Sequence, residues 1–260
     1  MIALLGGFLV GACLGLLGSG GSILAVPILV YLMGHHPKVA VAESLAIVGA
    51  IAALAAIPPV RERRIDWWSV LLFGVPGIVG TVAGVGLSSW MTGELQLLIF
   101  AAVMLLAALL MWRGARDGPK DASTRRDRRP SDLIVLGIEG LVVGVVTGIV
   151  GVGGGFLIVP ALVVLGRLPM RLAVGTSLLI IVLKSLVGFL FALGQLPAGV
   201  GRIDPVVIAI FVVFGGLGGQ VGGRIGARLP ETGLRRVFAG CLVLMAIGIL
   251  VWETVGRAET

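Results

Sequence analysis

Long apolar runs recur along the chain at residues 2–33, 39–58, 67–90, 95–112, 133–165, 172–193, 204–227 and 234–252. Each is close to or above the ~20 residues that an α-helix needs to cross the hydrocarbon core of a bilayer. Eight such runs leave a water-soluble fold no way to bury them. With 58% hydrophobic and 13% charged residues and a mean hydropathy of +1.12, the chain requires lipid as its solvent. The fold class expected is an all-α, multi-pass integral membrane protein. No cleaved leader is expected, because Met1-Ile2-Ala3-Leu4 carries no basic residue and the apolar pattern continues far beyond one signal sequence.

The net charge of +7 would suggest nucleic acid in a soluble protein. Here most basic residues lie in short segments between apolar runs, the pattern that orients membrane proteins with positive loops in the cytoplasm. No nucleic-acid partner is expected. The densest such segment, residues 113–131, holds Arg113, Arg116, Lys120, Arg125, Arg126, Arg128 and Arg129 against Asp117, Asp121 and Asp127. It reads as a cytoplasmic linker between two membrane units, 1–112 and 132–260.

These units resemble each other. Gly11-Ala12-Cys13-Leu14-Gly15-Leu16-Leu17-Gly18-Ser19-Gly20-Gly21, closing at Pro27, aligns with Gly144-Val145-Val146-Thr147-Gly148-Ile149-Val150-Gly151-Val152-Gly153-Gly154, closing at Pro160. Ala40-Val41-Ala42-Glu43-Ser44-Leu45 then aligns with Ala173-Val174-Gly175-Thr176-Ser177-Leu178, and Arg64-Ile65-Asp66 with Arg202-Ile203-Asp204. Charge separates the mates. Ser88–Glu94 has no basic residue, whereas its counterpart carries Arg224, Arg228, Arg235 and Arg236; the turn at Arg61, Arg63 and Arg64 reads as cytoplasmic and that near Arg202 as external. Opposite sidedness requires an odd number of crossings per half. The first run of each half, over 30 residues long and broken by Gly18-Ser19-Gly20-Gly21 or Gly151-Val152-Gly153-Gly154-Gly155, is expected to be broken or re-entrant, which gives an inverted repeat. Two parallel halves of four crossings each are the other arrangement the runs allow.

Glycine clusters cost a helix ~1 kcal/mol per residue relative to alanine. Either they admit a neighbouring helix, or the helix opens there and its freed amides cradle an anion. On the second reading Gly20, Gly21, Gly153 and Gly154 contact substrate. Lys184 stands alone in the run Leu178–Leu193; a lone ammonium at membrane depth wants an anion, or a carboxylate such as Glu43 or Glu139. Ser177 lies two turns before it, on nearly the same face. Thr176, Ser177 and Ser44 are therefore candidate ligands, with Gln220 a weaker one. Glu43 and Glu139 are candidates for coupled proton movement. His35 and His36 read as solvated turn residues, and Cys13 and Cys241 as small apolar fillers. Neither metal-ligand spacing nor a nucleophile with a base occurs in the runs, and no phosphate-binding Gly-x-x-x-x-Gly-Lys loop is present. No enzyme, metal or cofactor is expected.

Two halves of four segments, each opening through Gly-x-x-Gly-x-Gly-Gly (Gly15–Gly21 and Gly148–Gly154), then a proline and an Ala-Val-x-x-Ser stretch, resemble the TauE/SafE family of bacterial membrane permeases, also described as sulfite exporters. The resemblance covers nearly the whole chain. It implies a cofactor-free secondary transporter of the bacterial inner membrane that exports a small sulfur-containing anion, such as sulfite or an organosulfonate, by alternating access between the repeats. Glu43 and Lys184 stand outside the family pattern. The alternative from another class is a channel-like or partner-dependent membrane protein that does not transport; oligomeric state is left open.

Overall fold

The computed structural model describes residues 2–19, 21–88, 90–91, 93–114, 130–150, 155–166, 168–194 and 203–258. All regular elements among them are helical: α1 (Ile2–Leu17), α2 (Gly21–Pro27), α3 (Pro37–Arg61), α4 (Trp67–Ser88), α5 (Gly93–Gly114), α6 (Pro130–Val150), α7 (Gly155–Val164), α8 (Met170–Gly194), α9 (Pro205–Arg228) and α10 (Glu231–Ala258). A π-helical turn, Ile28–Leu32, continues α2. Helices α3, α4, α8 and α9 are long and apolar enough to cross a membrane, and α1 and α7 are shorter apolar helices. Helix α5 runs to Gly114 and α6 starts at Pro130; residues 115–129, most of the linker expected at 113–131, lie outside the described residues.

The break expected in the first run is present. Gly18 ends α1 with φ +73°, a left-handed conformation that glycine adopts without the Cβ penalty, and its N–H donates to Leu14 O at 2.7 Å. The chain then folds back: a Cβ on Gly21 would lie 2.9 Å from Leu14, and one on Gly6 would lie 3.0 Å from Ile28. Residues later in α2 thus meet residues earlier in α1, so the two run antiparallel. In the second half α6 ends at Val150 and α7 begins at Gly155, the glycines between lying outside the described residues.

Helix starts follow local chemistry. Pro37 opens α3 behind His36, whose ring accepts from Lys38 N–H at 3.4 Å. Pro205 opens α9 behind Asp204, whose carboxylate accepts from Val206 N–H at 2.8 Å and Val207 N–H at 3.3 Å. Proline at the first position gives up an N–H that has no helical partner, and the aspartate satisfies two of the others.

Glycine sets the tertiary contacts. Along α1, Gly7, Gly11 and Gly15 meet Phe211, Gly215 and Gly219 of α9; along α6, Gly140, Gly144 and Gly148 meet Phe73, Gly77 and Thr81 of α4. These two sets are repeat mates, residue for residue. Both pairs run parallel, since later residues meet later residues. Helices α3 and α8, themselves mates, cross the other way: Leu45 meets Gly188, Gly49 meets Ser185, and Pro59 and Arg64 meet Gly175. The four arms α1–α9, α6–α4, α3–α8 and α5–α10 make up the bundle. Small residues every fourth position let backbones approach where no hydrophobic force drives helices together.

Candidate functional site

Glu43, wholly buried on the first turns of α3, bridges the halves. Its Oε1 accepts the Asp204 N–H at the start of α9 at 2.8 Å, and its Oε2 meets His35 Nδ1 at 2.5 Å. The repeat mate of Glu43 is Thr176 and that of Asp204 is Asp66. Thr176 Oγ1 accepts the Asp66 N–H at 3.0 Å. The same backbone position is therefore tied at both ends of the molecule, by a neutral hydroxyl at one and a carboxylate backed by imidazole at the other. Asp66 is held in turn by Ser69 Oγ at 2.6 Å. His35 is thus not the solvated turn residue its sequence context suggested. Only the fold shows why, because Glu43 lies two helical turns further on and its side chain reaches back to the turn.

Ser177 is also buried, donating to Gly18 O at 2.9 Å and sharing its contact with Val174 O at 2.8 Å. It joins α8 to the break after α1. Ser44, its mate, donates to Val41 O at 2.8 Å. In this conformation the hydroxyls of Thr176, Ser177 and Ser44 are all engaged by the protein itself. Replacing Thr176 with Val leaves the Asp66 N–H without its acceptor. The expected cost is about 1–2 kcal/mol, read as a lower unfolding midpoint of the detergent-purified protein.

Lys184 makes no hydrogen bond or ion pair among the described residues. Neither carboxylate named as its partner reaches it: Glu43 is engaged by His35 and Asp204, and Glu139 Oε2 is buried with no hydrogen-bond partner among the described residues. Ser185, next to Lys184, packs on Gly49 at the α3–α8 crossing, where the two halves meet. Lys184 thus lies midway along a membrane-length helix, one residue before the α3–α8 crossing. Gly21 is buried, and its missing side chain is filled by Val10 O and Leu14, so close packing accounts for glycine there. Gly20, Gly153 and Gly154 lie outside the described residues.

A cavity of about 330 Å³ opens between the halves. Its walls come from Gly15 and Leu16 of α1, Ala55 and Pro58 of α3, Val174, Gly175 and Leu178 of α8, and Gly219, Gly223 and Ala227 of α9. Arg64, Arg171 and Arg224 line it, against the single carboxylate Glu62, and Gln220 adds an amide. Arg171 Nη2 donates to Leu229 O at 3.1 Å, joining the start of α8 to the end of α9, and Arg64 Nε meets Glu62 Oε2 at 3.0 Å. Thr176 and Ser177, adjacent in sequence to the lining residues Gly175 and Leu178, are fully buried and do not line it. In the sequence Arg64 and Arg224 read only as topology signals, and nothing singles out Arg171. Their convergence depends on the ends of α3 and α9 meeting the start of α8, which no local pattern encodes.

Membrane-length helices, tight glycine contacts and a basic cavity between them define a multi-pass membrane protein, and its relatives define the class as membrane transporters. The family described as "Sulfite exporter TauE/SafE" matches residues 3–249. This chain belongs to the TauE/SafE family. It is 34% identical over 257 residues, 95% of its length and 93% of the relative's, to a "Probable membrane transporter protein" of Xylella fastidiosa strain 9a5c. It is 26% identical to the Bacillus subtilis "Probable membrane transporter protein YunE", covering 95% of each chain. A similarly named protein of Methanocaldococcus jannaschii is 23% identical, over 94% of this chain and 93% of that one. No solved structure matches.

Proposed function

We propose that the protein is a secondary transporter that moves a small sulfur oxyanion, such as sulfite or an organosulfonate, out across the bacterial inner membrane by alternating access between inverted repeats. The observation that carries this reading is Lys184, a cation at the junction of the halves with no acidic partner among the described residues. Desolvating an ammonium costs several kcal/mol without a counter-charge, and a bound anion supplies one. The inverted arrangement is supported by mates α3 and α8 running antiparallel while α1–α9 and α6–α4 make equivalent contacts. In such carriers the substrate binds near the midplane and the repeats exchange conformations to expose it to either side.

The ligands assigned to the anion are Lys184, Thr176, Ser177 and Ser44, with the amides near Gly20, Gly21, Gly153 and Gly154. Rearrangement of the ties at Thr176 and Ser177 frees their hydroxyls for substrate. Glu43 is the group assigned to proton coupling, with Glu139 as a second. An anion passing Glu43 is repelled by the carboxylate and not by the acid, so the proton and the anion travel together.

The test is flux of labelled sulfite into proteoliposomes of the purified protein, with sulfate, sulfoacetate and chloride as competitors. Saturable flux blocked by the sulfur anions and not by chloride is expected; no flux under any imposed gradient removes the reading. Glu43→Gln is expected to keep downhill flux while losing the acceleration by an imposed pH gradient. A variant as responsive to that gradient as the native protein excludes Glu43 from coupling.

A further inference from the structure

Mates that correspond in packing differ in polarity at two positions that line the cavity. Gln220 and Arg224 line it one turn apart on α9. In the alignment that pairs Asp66 with Asp204, their mates on α4 are Val82 and Gly86. Helix packing therefore places no demand for an amide or a guanidinium at these positions. Arginine near a helix end serves membrane orientation in many proteins, and that alone would explain Arg228. It does not explain Gln220, which has no charge to orient anything, yet lines the same cavity as Arg224 four residues later. Residues at that spacing share a helix face. The amide offers two N–H donors and the guanidinium five, in a fork suited to two oxygens of one anion. Arg64 meets Glu62 through Nε, so that ion pair does not use the two terminal nitrogens of its fork. Among the described residues the lining carries three guanidiniums against one carboxylate, a field that raises the local concentration of anions.

We infer that this cavity is a loading chamber for a small oxyanion, in which Gln220 and Arg224 hold its oxygens and Arg171 draws it to the mouth before it moves on toward Ser177 and Lys184. The inference rests on the transport reading but adds a site to it, distinct from the midplane ligands. The opposite end, where Glu43 replaces Thr176, Val82 replaces Gln220 and Gly86 replaces Arg224, keeps basic mates only for Arg171 and Arg64, at Lys38 and Arg202. Binding from the two faces is therefore unequal, while the end point of transport stays set by the gradients alone.

The test uses the full-length protein, purified in detergent, with sulfite as the probe in calorimetric titration, and the same variants in everted and right-side-out membrane vesicles. Loss of a hydrogen bond to a charged ligand lowers affinity about tenfold or more. Gln220→Val, which installs the mate residue, and Arg224→Gln are each expected to weaken sulfite binding about tenfold. Gln220→Glu, nearly isosteric and repulsive to anions, weakens it further, and Arg228→Gln leaves it within twofold. In vesicles the half-saturation shifts for the face that exposes the arginines and stays within twofold for the other. Native-like binding by Gln220→Val and Gln220→Glu, or an equal loss in Arg228→Gln, overturns the chamber. Binding that follows the expected order in a protein with no sulfite flux keeps the chamber and removes the transport reading. Flux that is saturable and indifferent to all of these variants does the reverse.

Discussion

Replacing Lys184 with Met is expected to lower anion flux by about tenfold to a hundredfold while leaving the unfolding midpoint unchanged or raised. The two effects have one cause. The ammonium has no ion-pair or hydrogen-bond partner among the described residues, so the protein without substrate carries its desolvation cost uncompensated. Methionine keeps the length and flexibility of the side chain and removes that cost, which is why stability does not fall. With an anion bound, the same charge is answered, and a charge-assisted contact of about 1.5–3 kcal/mol is lost in the variant. A purely structural lysine would behave the other way, with stability falling and flux following it. Flux equal to that of the native protein, in a variant with an unchanged midpoint, removes Lys184 from the path.

The second large effect falls on the glycine contacts. A Cβ at Gly11 would enter the carbonyl of Gly215, and its mate Gly144 stands in the same relation to Gly77. The obstacle is backbone on both sides, so no rotamer change relieves it and the helices must separate. Gly11→Val and Gly144→Val are each expected to cost about 3 kcal/mol or more, at the upper end of overpacking effects. A Cβ at Gly240, on α10, would meet nothing within 4 Å; Gly240→Ala is expected to be neutral or to stabilise by up to ~1 kcal/mol through helix propensity. Thermal unfolding in detergent separates these outcomes. Equal midpoints for Gly11→Val and Gly240→Ala would show that α1 and α9 are not held by close backbone contact.

Both effects trace to features of different legibility. The lone lysine is visible in the run Leu178–Leu193, and the aligned glycines are visible in Gly11–Gly21 and Gly144–Gly154. What each one touches is not. Sequence offered Glu43 or Glu139 as the partner of Lys184, and the fold gives Glu43 instead to His35 and the Asp204 amide. Likewise the aligned stretches Ala40–Leu45 and Ala173–Leu178 showed that Glu43 and Thr176 occupy one repeat position, without showing that both receive the N–H before a helix of the other half. Hydrogen-bond partners separated by more than a hundred residues leave no periodic trace.

By itself the sequence determined the solvent, the helical class, the internal similarity and the place where the first helix breaks. These depend on local quantities: run length against bilayer thickness, internal similarity, and the backbone freedom of Gly18. Tertiary structure alone decided that α1 pairs with α9 and α6 with α4, that Thr176 and Ser177 are tied into the protein, and that Arg64, Arg171 and Arg224 converge on one cavity. In lipid every apolar helix face is equally content, so the choice among partners rests on which backbones fit closely together, and that fit exists only once the helices have met.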